Sequence, residues 1–249
     1  VPEPDIIITN TITITTTIMT TTITPEAALY RLLTWLSPSY PVGAFSYSHG
    51  LEYAIEVGLT RERASLTDWI ATVLQAGAGR SDGALFAAAW RAAQTNEEET
   101  LDEVVELAAA WRGSAEMALE SAAQGVAFLA TTRAAWAHPL LDRVALRHRG
   151  ALAYPVAVAL AAAAHAVPLE PALGAYLHAF AANLVSAGLR AIPLGQSDGQ
   201  RALADLEPAV GNAVAAALTT SLDDTGTSAP VVDWCSMRHE TQYTRLFRS

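Results

Sequence analysis

Residues 32–52 read LLTWLSPSYPVGAFSYSHGLE, and the fold turns on how this stretch is read. An apolar helical repeat runs into Ser37-Pro38, meets a second proline at Pro41 and a glycine at Gly43, and restarts after Ser46 and Ser48. Proline removes a backbone donor and clashes with the preceding turn, so Pro38 ends or bends the first helix. Gly43 permits a backbone angle that a Cβ would resist. Ser46, Ser48 and His49 then offer polar atoms near the unpaired amides of the next helix start. The stretch therefore reads as a helix–loop–helix corner.

Outward from that corner the same period continues. Thr24-Pro25-Glu26 combines a capping hydroxyl, a first-turn proline and an acid at the positive end of the dipole, a strong helix start. Leu29, Leu32, Leu33 and Leu36 follow at i, i+3, i+4 and i+7, which predicts one apolar face. Downstream, Leu51 to Val57 forms a short helix that Gly58 stops, and Ser65 opens one to about Ala78. Further helices are expected over 81–93, 97–111, 114–136 (one helix, or two joined near Gly125), from Pro139 to before Gly150, 151–166, 170–189 and 200–222. Pro193 to Gly199 reads as a break, and 223–230 as polar turns.

Alanine dominates, aromatics are few, and β-branched residues are scarce beyond residue 24, a mixture for closely packed helices. The expected fold is all-α, a single helical-bundle domain of roughly ten helices over 25–249. Residues 1–24, low-complexity Ile/Thr, stand apart as a disordered or loosely attached tail.

Composition also excludes functions. A net charge of −10 repels a phosphate backbone, so no nucleic-acid partner is expected. The single cysteine, Cys235, leaves no internal disulfide and suits a reducing cytoplasm. The apolar run 151–167 is short for a bilayer and contains Pro155 and His165, so it reads as a buried core helix rather than a membrane span. The chain has no lysine, so a P-loop cannot be completed. Ser46-Tyr47-Ser48-His49-Gly50 has a superficial likeness to the G-x-S-x-G elbow but lacks its first glycine and its preceding strand. Cys235, Met237 and His239 are soft or borderline ligand types, with no second cysteine and no paired histidine beside them. Glu97 to Glu99, Glu103 and Glu106 fall on solvated helix faces. No catalytic residue, metal ligand or cofactor is expected.

Without a self-contained site, attention moves to surfaces. The C-terminal HETQYTRLFRS (239–249) is too short for its own core. Such a segment frays, or it docks on a partner through Tyr243, Leu246 and Phe247, with Arg245 as a forked donor to a carboxylate.

Three stretches, PVGAFSYSHGLE at 41–52, IPLGQSDGQ at 192–200 and the tail at 239–249, together resemble the UreF family of urease accessory proteins, in the same order. The resemblance covers roughly 25–249. It implies an all-helical, non-enzymatic chaperone that bridges UreD (UreH) and the GTPase UreG during nickel insertion into apo-urease, in the cytoplasm and commonly as a homodimer. It places Pro41, Gly43, Ser46, Ser48, His49, Gly50 and Glu52 at the family signature. It also implies partner-binding roles for Arg190, Gln196, Asp198 and Gln200 toward the GTPase, and for Arg245 with Tyr243, Leu246 and Phe247 toward UreD. Read this way the two faces are independent, so Arg190→Ala is expected to weaken UreG recruitment and leave the UreD contact intact. A regulator of the GTPase cycle with Arg190 or Arg245 as a finger, and a helical enzyme using Ser48 and His49, are the alternative functions.

Overall fold

The computed structural model describes residues 23–150 and 152–249. The expected tail at 1–24 therefore lies, up to residue 22, outside the described residues. Eleven α-helices follow one another with no strand among the described residues: α1 (Pro25–Trp35), α2 (Leu51–Glu56), α3 (Arg63–Gln75), α4 (Ala78–Thr95), α5 (Glu98–Ala110), α6 (Ala115–Ala135), α7 (Pro139–Arg147), α8 (Tyr154–Ala164), α9 (Leu169–Ala191), α10 (Gln196–Thr219) and α11 (Pro230–His239). A 3₁₀ turn at Ala44–Ser46 lies in the connection between α1 and α2.

The centre of the bundle is α8, where every residue from Pro155 through Ala163 is buried. Its alanines let α4 and α6 approach from two sides, while α10 joins α3 and α9 in a second layer. Gly125 makes the α6 approach possible, because a Cβ there would stand 2.0 Å from the Leu152 carbonyl oxygen. Trp90 Nε1 donates to Val167 O at 3.0 Å and Gln94 Nε2 to Ala163 O at 2.9 Å, satisfying carbonyls at the end of α8. At eleven residues α8 is too short to span a bilayer. Among the described residues α9 alone is long and apolar enough to do so, and half of its most apolar window is buried within the bundle.

The Thr24 cap holds as expected, its hydroxyl accepting from Ala27 N at 3.3 Å. Two expectations need correction. The buried face of α1 is Ala28, Leu32 and Trp35, whereas Leu29 and Leu33 are 57% and 66% exposed. Trp35 sets the rotation: it is fully buried, edge-on to Phe128 and Trp136, and its bulk outweighs the leucine periodicity. The break at 193–199 is also shorter than expected. Asp198 accepts from Gly195 N at 3.2 Å, and this cap starts α10 at Gln196 instead of Gln200. A smaller shift occurs at α3, which begins at Arg63 with Ser65 in its first turn, accepting from Glu62 N at 3.2 Å. The run 114–136 is one helix, and Asn96 closes α4 in the left-handed conformation while Glu97 precedes α5.

A candidate docking site assembled by the C-terminal tail

The signature stretch begins on α6, where Tyr40 packs against Phe128 and hydrogen-bonds Thr132 Oγ1 at 2.8 Å. It then turns at Gly43 (φ +73°) and again at His49 and Gly50 (φ +56° and +78°), two successive left-handed residues that aim α2 back across the bundle. Ser48 O accepts from Leu51 N at 3.1 Å and Ser48 Oγ from Glu52 N at 3.3 Å, so the expected cap on the new helix is present. Ser48 is nevertheless fully buried, and its hydroxyl donates to the Ser249 backbone oxygen. The His49 ring is directed at Glu120, its Nδ1 lying 3.4 Å from Oε2. Neither side chain is set up as a nucleophile–base pair.

The contact with Ser249 belongs to a larger arrangement. Instead of fraying, residues 240–249 fold back over the signature stretch. Arg248 N donates to Ser46 O and Ser48 N to Ser249 O, each at 2.8 Å. Leu246 N and Phe247 N donate to the two carboxylate oxygens of Glu52, at 2.6 and 3.0 Å. His239, fully buried at the end of α11, lies between Glu52 Oε2 (2.9 Å from Nε2) and Glu116 Oε2 (2.7 Å from Nδ1). An ionised carboxylate only accepts, so both contacts are made when both ring nitrogens carry a proton. Arg245 Nη1 donates to Glu116 Oε1 at 2.8 Å and Ser249 Oγ to Glu120 Oε2 at 2.7 Å. Gln124 Nε2 completes the row on Glu120 at 3.2 Å.

Glu116, Glu120 and Gln124 were not singled out from the sequence. They recur at i, i+4 and i+8 on α6, among alanines, and that polar ladder on a helix otherwise suited to burial was the available signal. A second buried cluster beside it was also missed. Arg112 Nη1 pairs with Asp82 Oδ1 at 2.6 Å, and Tyr176 OH donates to Asp82 Oδ2 at 3.0 Å. Burial drives the Tyr176 hydroxyl well above its ordinary range, with the Asp82 charge acting the same way, so it stays a donor. These groups and Glu120, Gln124 and His49 line a cavity of about 20 Å3, room for about one water.

The structure divides the residues put forward for partner contact. Phe247 is only 4% exposed and is an internal anchor, with the Arg190 guanidinium 4.3 Å above its ring. Arg190, in the last turn of α9, therefore touches the tail, and the two faces expected to be independent share a contact. Burial also lowers the Arg190 guanidinium from its ordinary range. The carboxylate met by Arg245 is this chain's own Glu116. Asp198 is occupied with its helix cap and with Arg201, at 3.0 Å, while Gln196 and Gln200 are exposed on the first turns of α10. Tyr243 projects completely into solvent and Leu246 is 61% exposed.

Of the three soft-ligand candidates, Cys235 is buried with its thiol pushed up to about 11 by that burial, and Met237 is half-exposed. His239 has both ring nitrogens engaged by carboxylates, and among the described residues no group of three or more His, Cys, Asp or Glu is placed to hold a metal ion.

Comparison with known proteins identifies the family. The UreF family model matches residues 60–207. The chain is 56% identical over 229 residues to the urease accessory protein UreF of Granulibacter bethesdensis, covering 92% of this chain and 97% of that protein. It is 55% identical over 223 residues to the protein of the same name from Rhodopseudomonas palustris (strain HaA2), with 90% and 94% covered. A third, from Bradyrhizobium diazoefficiens, is 50% identical over 223 residues, with 90% and 92% covered. With a family match across more than half its length and relatives aligned almost end to end, the chain belongs to the UreF family of urease accessory proteins.

Proposed function

We propose that this protein is a non-catalytic scaffold for urease maturation, acting in the cytoplasm and bridging UreD (UreH) and the GTPase UreG while nickel is inserted into apo-urease. The observation that carries the reading is the ordered tail. It buries Phe247 and Ser249 and leaves Tyr243, Leu246 and, from α11, Met237 exposed beside Arg238, Arg245 and Arg248. With Arg245 held by this chain's own Glu116 and Arg238 by Tyr53, the large exposed apolar groups are what the tail offers a partner, and they suit a mainly apolar partner surface. Arg190 with Gln196 and Gln200, at the junction of α9 and α10, forms the second face, toward UreG. A homodimer through α9 completes the proposed assembly.

Co-expression with UreD and UreG tests the reading. A complex containing all three is expected on affinity purification. Recovery of the folded proteins singly would contradict it. Because Arg190 packs on Phe247, Arg190→Ala is now expected to weaken UreG capture and also to loosen the tail, reducing UreD capture to a smaller extent.

A further inference from the structure

The tail cannot hold its conformation by itself. Residues 240–249 contain no helix; Thr241 and Gln242 are turned back onto the Arg238 and His239 carbonyls, and beyond them the fixed points are the backbone bonds to Ser46 and Ser48 and side chains of other elements. Glu52 is the most connected of these. Its carboxylate receives two consecutive amides of the tail, Leu246 and Phe247, and the imidazole of His239, so one side chain ties the end of α11 to the middle of the tail. Two adjacent N–H groups converging on one anion is a geometry that fixes backbone register. Glu52 reaches that point because it sits in the first turn of α2, and the start of α2 is set by the left-handed turn at His49 and Gly50.

We propose that Glu52 is a positioning residue for partner docking: it sets the register of the tail so that Leu246 and Tyr243 face outward while Phe247 turns inward beneath Arg190. This deepens, and rests on, the reading of the tail as a docking element. It also gives the signature stretch a task beyond turning a corner, since its backbone bends place a carboxylate for a segment almost two hundred residues away. Glu116 supports the same arrangement from α6, through His239 and Arg245.

The test uses the full-length protein with Glu52→Ala and Glu52→Gln, read by amide hydrogen exchange and by capture on immobilised UreD. Glu52→Ala is expected to speed exchange at Leu246 and Phe247 at least about tenfold, the yield of one lost charge-assisted hydrogen bond, with α8 amides unchanged. UreD capture should weaken by about tenfold as well, and the effect should vanish in a Tyr243→Ala/Leu246→Ala background. Glu52→Gln, which keeps one oxygen acceptor and loses the charge, should fall between, and it decides the matter if the alanine variant does not fold. Faster tail exchange with undiminished capture, while Tyr243→Ala/Leu246→Ala abolishes capture, would overturn the positioning role and leave the docking reading standing. Faster exchange throughout α8 would also overturn it, in favour of a general stabilising role. Undiminished capture by Tyr243→Ala/Leu246→Ala would overturn both.

Discussion

Gly50 faces two demands at once. Its φ of +78° lies where a side chain is strained, and a Cβ there would stand 2.8 Å from the Ser236 backbone nitrogen on α11. Gly43 shares the first demand (φ +73°) without the second, because nothing lies within 4 Å of its Cβ position. Gly43→Ala is therefore expected to cost about 1 kcal/mol and Gly50→Ala more than about 3 kcal/mol in urea unfolding. Equal costs would contradict this account of the signature turn. The Asp82–Arg112 pair makes a second demand at this scale. Arg112→Met would leave the buried Asp82 carboxylate with only Tyr176, and a loss of about 3–5 kcal/mol is expected. A loss below about 1 kcal/mol would show that the pair is not held as described.

Among the elements, α7 and the end of α8 hold two histidines whose burial makes their contribution to stability depend on pH. His138 caps α7 by accepting from Leu140 N at 3.2 Å, and His165 Nε2 meets the Trp136 carbonyl at 3.1 Å. Burial holds both imidazoles below their ordinary value of 6.5, with Arg143 adding to the effect at His138 and Arg31 at His165. A group whose folded value is depressed takes up its proton first in the unfolded chain. Stability from these sites is thus complete above about pH 6.5 and is lost as pH falls below it toward the folded values. His138→Asn keeps a capping acceptor and removes a titrating group, so it should flatten the fall in urea midpoint between pH 7.5 and 5.5. An unchanged slope would remove His138 from the explanation. The helices themselves were legible in the sequence because caps and 3.6-residue periodicity are local. The rotation of α1 was not, since four leucines outvote one tryptophan in any count by position, while burial follows size and partners. The start of α10 was hidden because Gly195 and Asp198 read as breakers until the carboxylate is seen to cap the helix.

For the whole molecule, the tail decides how the surface is organised. Its individual residues drew notice in the sequence, as did the signature stretch and Arg190. Their convergence left no local trace, because the contacts join positions far apart in sequence, 194 residues for Glu52 and Leu246, and come from α2, α6, α9 and α11 together. Only the Glu116–Glu120–Gln124 ladder hinted that α6 was waiting for polar company. Tyr243 and Leu246 are the groups that this folding-back leaves outside, so they can be removed without disturbing the core. Urease activation in cells supplying nickel, urease and the remaining accessory proteins, with this chain carrying Tyr243→Ala/Leu246→Ala, tests the docking claim most directly. The account predicts a normally folded protein and urease activity near that of cells lacking this chain; full activation would contradict it.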